Sequence, residues 1–297
     1  MQYDALVIGG SFAGLSAATY IARARRSVAV VDDGLPRNRF ADHSHGFFTH
    51  DGDTPAAMLA IARQQVAAYP TASFIGGRGE RAERRGDGFV VTLADGQRLE
   101  ARRLVLAYGI SDRLPEVPGL AERWGKSVIH CPYCHGYEFS DCPLGVLAGS
   151  PMSAHQAMLV TEWGPTTLFL NGIDLPDEAV RAELLHRGVT SEPVPVRALL
   201  GEGTGLEAVE LVDGRRLAIE ALYVGPKAPL NSGISDDLGC AHDDIYFGRI
   251  IRTDEMKQTT ALGVFAAGDI TRGAHSIAFA VADGVMAGTA LHRSLVF

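Results

Sequence analysis

Ala5-Leu6-Val7-Ile8-Gly9-Gly10-Ser11-Phe12-Ala13-Gly14 opens as a short buried strand, breaks at two glycines and runs into an Ala-rich stretch from Leu15 to Arg26. The residues that follow, Ser27 to Val31, have the apolar, β-branched character of a second strand, which ends in Asp32-Asp33. Strand, glycine turn, helix, strand and terminal acid make a βαβ unit with the dinucleotide-binding fingerprint. Gly9 allows the tight turn and Gly14 lets the helix pack close to the sheet. The helix start then presents free N–H groups and a positive dipole end to a pyrophosphate. Asp32 stands where a carboxylate reaches a ribose hydroxyl. Ser11 takes the place of the usual middle glycine and is small enough for close approach.

A second strand-turn-helix start lies at Leu144-Gly145-Val146-Leu147-Ala148. Between the two starts come a helix near 55–69, turn-linked strands at 88–93 and 97–104, a buried strand at 104–107, and a Pro-rich break from Leu114 to Gly119. Thr54 and Pro55 suit the cap and first turn of that helix. The polar, Gly-containing run at 240–250 reads as a return linker. Gly263 to Asp269 and a small-residue helix from Ser276 to Leu295 close the chain. The expected fold is α/β: two Rossmann-like, three-layer nucleotide-binding domains, the second inserted in the first. The predicted boundaries are 1–114 plus 249–297 for the outer domain and 115–248 for the inserted one.

Cys131-Pro132-Tyr133-Cys134-His135 carries the chemistry. Two cysteines separated by two residues can close a small disulfide, and a helix start favours the thiolate of one of them. His135 titrates near neutral pH and suits proton exchange with a thiol. A C-x-x-C-H run is also the signature of haem attachment, but that chemistry goes with export, and Met1-Gln2-Tyr3-Asp4 has no basic, apolar leader. A zinc site drawing on His130, Cys131, Cys134 and His135 would crowd four ligands into six residues, with no second C-x-x-C to complete it. A redox pair is the expected role, with no metal. Cys142 and Cys240 stand outside any pair and read as packing residues.

Taken together, the glycine turn, the Ala107-Tyr108-Gly109 stretch, the C-x-x-C after a Pro-Gly linker and the Gly263 to Asp269 segment resemble the low-molecular-weight thioredoxin reductases over essentially the whole chain. The resemblance implies a split FAD domain, with FAD contacts at Gly9, Ser11, Gly14, Asp32, Gly109, Gly268 and Asp269, and usually a homodimer. It places one side chain at the start of the closing helix near the pyrimidine edge of the flavin; either His275 or Ser276 suits. It sets Cys134 against the flavin and leaves Cys131 to exchange with an outside disulfide. Cys131 to Gly136 is most similar to the subgroup with gliotoxin- and holomycin-type dithiol oxidases.

The inserted domain departs from the family. Its nucleotide turn reads Gly149-Ser150-Pro151-Met152-Ser153-Ala154, a degenerate form in which Pro151 deletes an N–H and adds bulk where the pyrophosphate should approach. Leu168 to Asp174 has no Arg or Lys to read a 2′-phosphate. Both departures weigh against NADPH; NADH, with Asp174 on its ribose, is the weaker alternative. The expected activity is a FAD-dependent thiol–disulfide oxidoreductase, tilted to a dithiol oxidase or to a reductase with a donor other than NADPH. The alternatives are an NADPH-dependent thioredoxin reductase and a flavin-bound redox sensor. The partner is a small dithiol or disulfide, or a thioredoxin-like protein. His43, His45 and His50 crowd one loop and read chiefly as polar loop residues, then as active-site lining, and last as metal ligands.

Composition agrees. At 297 residues with 46% hydrophobic content the chain can bury two cores, and a net charge of −8 without a basic run argues against nucleic acid. No segment reaches the roughly 20 apolar residues of a membrane span. Four cysteines without a leader fit a cytoplasmic protein.

Overall fold

The computed structural model describes residues 2–175 and 177–297. In chain order, β1 (Gln2–Ile8), α1 (Phe12–Arg23), β2 (Val28–Asp32), α2 (Pro55–Ala67), β3 (Ala72–Gly76), β4 (Gly79–Arg85), β5 (Gly88–Leu93) and β6 (Arg98–Leu106) come first. Next are β7 (Val128–Ile129), α3 (Pro132–His135), β8 (Leu144–Leu147), α4 (Met152–Val160), β9 (Thr166–Phe169), α5 (Glu178–His186) and β10 (Thr190–Glu192). A run of strands follows: β11 (Val196–Leu200), β12 (Ala208–Leu211), β13 (Arg216–Ala218) and β14 (Ala221–Val224). Last come α6 (Ile234–Asp237), β15 (His242–Ile245), β16 (Gly248–Ile251), β17 (Val264–Ala266) and α7 (Ile277–Val296). Among the described residues no helix is long and apolar enough to cross a membrane.

The chain divides into two compact units. The first takes residues up to Arg39, Pro55–Ser111 and Ala228–Phe297; the second takes Phe40–Thr54 and Asp112–Lys227. The return therefore comes at Ala228 rather than at the expected 249. The run read as a linker is a hairpin, β15 antiparallel to β16, whose Ile251 and neighbouring Phe247 are buried in the first unit's core. Ile245 packs partly against the same core, and the charged residues between these side chains mask the pattern. The loop 40–54 belongs with the second unit, where Asp42 pairs with Lys126 and Gly125 lies against Phe40.

In the first unit, β3, β2, β1, β6 and β17 lie side by side, all parallel. Alternation along the strands sorts the side chains. Ala5 and Val7 face α1 and α7, whereas Leu6 and Ile8 face Phe89, Val91 and Leu93 of the antiparallel β4–β5–β6 layer. The two strands expected at 97–104 and 104–107 are one. The first part of β6 pairs antiparallel with β5 and its end pairs parallel with β1 and β17. On the helical face α1 and α7 touch backbone to backbone: a Cβ on Gly284 would meet the Ala13 carbonyl oxygen at 2.2 Å. Small residues in both helices permit that approach.

Beneath the turn after β17, Asp283 is buried and accepts from Arg272 at 2.5 and 2.9 Å and from Gly268 N at 3.3 Å, with Lys257 Nζ at 2.8 Å. Removing the one carboxylate strands two cations out of water. Asp283→Asn is expected to cost about 3 kcal/mol or more in a denaturant melt; a loss below 1 kcal/mol would mean that the cluster contributes little.

The second unit repeats the plan. Its parallel sheet runs β10-β9-β8-β14-β7. One face packs on α4 and α5 through Leu144, Val146, Ala157 and Leu184, the other on β11–β13 through Leu147, Leu222, Val209 and Leu211. Both units thus have three layers: helix, parallel sheet and antiparallel sheet.

Candidate active site: a dinucleotide crevice and a dithiol

In the first unit the sheet order reverses between β1, which leads to β2 on one side, and β6 on the other. Open α/β sheets bind ligands at the carboxyl ends of the strands beside such a reversal. Three sequence-predicted segments emerge there from neighbouring strands: Gly9 to Gly14 after β1, Tyr108-Gly109 after β6, and Gly268-Asp269 after β17. Gly9 has φ +111°, and a Cβ on it would lie 2.1 Å from the Ala107 carbonyl oxygen; one on Gly14 would lie 1.8 Å from that of Gly9. Only glycine fits either place. Ser11 is the extended N-cap residue of α1, and its side chain does not cap the helix. The amino end of α1 is thus left to an anion.

Asp32 ends β2, accepts from Gly10 N at 3.1 Å and pairs with Arg63 at 3.0 Å. Asp269 pairs with Arg37 at 3.2 Å, and the same Arg37 nitrogen lies 2.8 Å from His275 Nδ1. The other ring nitrogen, Nε2, lies 3.1 Å from the Arg272 carbonyl. Arg37 can only donate, so the network assigns the ring proton to Nε2. Ser276 instead caps α7, its hydroxyl accepting from Phe279 N at 3.1 Å. Of the two residues at that helix start, one is thus held by Arg37 and the other serves the backbone. Arg37 was invisible in the sequence, where it is one cation in an irregular loop. The donor set suits a dinucleotide: an uncapped helix start, two glycines forced by geometry, and a carboxylate beyond the second strand.

The turn in the second unit is built differently. Gly149 has no positive φ, and a Cβ on it would sit 3.6 Å from the Gly225 carbonyl, an ordinary contact; Ala154 already carries a Cβ at the last position. Ser153 accepts from Gly149 N at 3.1 Å and from Ser150 N at 3.3 Å. Pro151 has no N–H to offer. Two backbone donors that would cradle a phosphate are thus taken by a buried serine, and a third does not exist. After β9, Asn171 Oδ1 accepts from Val196 N at 3.1 Å, and Asp174 is exposed beyond the strand end instead of terminating it as Asp32 does.

The cysteine pair follows β7. His130 fixes its root: Nδ1 lies 3.1 Å from the Val224 carbonyl of β14, and Gln156 of α4 donates to the His130 carbonyl at 2.9 Å. Cys131 is the N-cap residue of α3, a single turn, so the helix dipole available to a thiolate there is short. The two sulfurs lie 2.6 Å apart, with Cys134 donating, and both residues are half-buried. Burial holds the His135 imidazole below its ordinary pKa; nearby Glu138 works against this and His45 with it. His135 is thus a neutral base at pH 7.

The three histidines of the 40–54 loop separate. His43 Nδ1 lies 2.9 Å from the Gly52 carbonyl and His50 pairs with Asp53 at 2.8 Å, both within the loop. His45 meets His135 edge-on at 6.3 Å between ring centroids and approaches Glu138 at 3.3 Å. Among the described residues no group of histidine, cysteine and acid side chains is arranged to hold a metal. Cys240 is buried in a core and Cys142 packs against one, as expected of packing residues. The sequence did not single out Ser153 or Glu138; a serine in the first turn of α4 was the available signal for the former.

A profile described as pyridine nucleotide-disulphide oxidoreductase matches residues 3–284. The thioredoxin reductase tcpT of Claviceps purpurea is 34% identical over 96% of this chain and 92% of that protein. Among solved structures, an oxidoreductase from Agrobacterium tumefaciens matches with a TM-score of 0.95 at 47% identity, covering 100% of this chain and 99% of that one. The crystal structure of HlmI matches with a TM-score of 0.94 at 39% identity, covering 99% and 93%.

Proposed function

The chain belongs to the pyridine nucleotide-disulphide oxidoreductase family, and on that premise we propose that it is a FAD-dependent thiol–disulfide oxidoreductase that oxidises small dithiols. One observation carries the tilt to oxidation: the second nucleotide turn is closed on Ser153 and interrupted by Pro151. The first unit would hold FAD, with Gly9, Ser11 and Gly14 at the pyrophosphate and Asp32 at the ribose. Gly109, Gly268, Asp269 and His275 would line the rest. FAD, when bound, supplies the acceptor for the electron pair that leaves the dithiol.

The remaining chemistry belongs to the chain. A substrate thiolate attacks Cys131 of the Cys131–Cys134 disulfide, forming a mixed disulfide and freeing Cys134 as thiolate. The second substrate thiol gives its proton to His135 and attacks its own mixed-disulfide sulfur, releasing the cyclic disulfide and Cys131. The substrate loses two electrons and the cysteine pair gains them. His135 suits the proton step because burial keeps it neutral beforehand. Family likeness supports a homodimer working in a reducing cytoplasm; sedimentation at micromolar concentration would give the assembly.

The test is oxygen uptake. With dithiothreitol in air, the yellow protein should consume one oxygen per disulfide formed. No uptake, together with brisk NADPH-driven reduction of a thioredoxin, would make it an ordinary reductase. For the cofactor, Asp269→Ala should lower the FAD retained through gel filtration severalfold, while Cys142→Ala leaves it unchanged. Equal retention in the two variants would move the second flavin contact elsewhere.

A further inference from the structure

One edge of β6 pairs with β1. The other edge pairs with two strands in turn, antiparallel β5 as far as Ala101 and parallel β17 from Leu104. On that second edge Arg102 and Arg103 pair with neither, which leaves a notch where the antiparallel layer gives way to the parallel sheet. A cavity of about 470 Å³ opens there, lined by Arg84 and Arg85 of β4, Arg102 and Arg103 of β6, Gly88 and Gly263. It lies at the amino ends of β1 and β17, the opposite end of the sheet from the turns at Gly9 and Gly268. We propose that the notch is a second anion site, which binds the diphosphate group of a small molecule.

Two of the four guanidiniums are neutralised within the chain: Arg85 pairs with Glu100 at 3.1 Å and Arg102 with Asp4 at 3.1 Å. The other two pair with no carboxylate among the described residues. Arg84 lies over the Phe89 ring, 4.6 Å from its centroid, and donates to the Leu262 carbonyl. Arg103 donates only to neutral acceptors, the Asp87, Arg102 and Ser294 carbonyls and the Ser294 hydroxyl, at 2.9 to 3.4 Å. Asp87 also lines the cavity and offsets part of the charge. Burial holds the Arg103 guanidinium below its ordinary pKa; the Arg102 and Arg84 charges add to this and Asp87 opposes it. The chain as a whole carries a net charge of −8, so this crowding of cations runs against its average. A ligand with two negative charges matches the two uncompensated guanidiniums. Guanidinium forks from two strands suit the several oxygens of a diphosphate, and the volume is that of a small-molecule site. Glycines hold the shoulders of the notch. A Cβ on Gly88 would meet the Ala101 carbonyl oxygen at 2.6 Å, and Gly263, with φ +81°, would bring one within 3.1 Å of Arg103 Cδ.

Arginines that only plug the notch would make the same contacts, so the test measures binding. FAD-loaded full-length protein is titrated calorimetrically with inorganic pyrophosphate at low salt. A single saturable site per chain is expected, and the double variant Arg84→Gln with Arg102→Gln should weaken it about tenfold or more. Arg103 is kept, because its bonds to Ser294 tie β6 to α7. The control removes the same charge from the second unit, Arg181→Gln with Arg197→Gln, and should leave the affinity within about twofold. Saturating pyrophosphate should also raise the melting temperature of the wild type and the control, but not that of the notch variant. A parallel titration with ADP separates the sources of the group: tighter binding than pyrophosphate assigns the site to an organic diphosphate, weaker binding to the free anion. No saturable binding of either, or equal weakening in the two double variants, would overturn the site.

Discussion

Replacing either Cys131 or Cys134 with serine is expected to bring dithiol oxidation down to the flavin's own background, a loss of about a thousandfold or more. A serine hydroxyl forms no disulfide, so the electron pair has no bond to enter. The two variants should differ in what they trap. In Cys134→Ser the remaining Cys131 has no resolving thiol 2.6 Å away, so a mixed disulfide with an added small disulfide should accumulate and be visible by mass. In Cys131→Ser the adduct should form far more slowly. Accumulation in the reverse order would exchange the two roles. Cys142 and Cys240 are internal controls. Glu220, beside Cys142, and burial push that thiol up, and burial does the same at Cys240. Neither is a thiolate at neutral pH, so alanine at either should leave turnover within about twofold.

The electron donor gives the second large effect. Three consecutive backbone positions, Gly149, Ser150 and Pro151, would normally offer N–H groups to a pyrophosphate; two donate to Ser153 and one does not exist. Hydrogen bonds to a charged group contribute about 1.5–3 kcal/mol each. Losing the set removes about 4 kcal/mol or more, roughly a thousandfold in affinity. NADPH at sub-millimolar concentration should therefore leave the flavin yellow under anaerobic conditions, while dithiothreitol bleaches it. The double variant Pro151→Gly with Ser153→Ala returns the three donors and should tighten NADPH by at least tenfold in a direct binding titration. Rapid bleaching of the wild type by micromolar NADPH would show that the phosphate finds other donors, and the oxidase assignment would go with it.

How much of this was legible varied from residue to residue. Unbroken apolar runs at Ala5 to Ile8 and Leu104 to Ala107 mark buried strands. The spacing of Gly9, Gly14 and Asp32 marked the crevice, because a backbone turn with φ above zero and a 1.8 Å closest approach can be met only by glycine. β4, Gly79–Arg85, went unread because only Gly79 and Ala82 are buried in it and charges fill the rest. The hairpin β15–β16 reads as a linker for the same reason.

The local chemistry is written in residue order: a glycine-forced dinucleotide turn, a dithiol with a histidine beside it, and a second turn missing one N–H at Pro151. Each is a property of neighbours along the chain, where backbone conformation and side-chain type set the outcome. Which donors remain for a ligand, and which loop histidine lies beside His135, is settled once the chain has folded. Ser153 closes the turn through bonds that depend on how α4 starts. Arg37 reaches Asp269 and His275 across more than 230 positions of chain. The loop of His45 lies against Glu138 and His135, far along the chain, while His43 and His50 bond within their own loop. Such contacts follow from the packing of distant segments, and no local pattern of residue types encodes them.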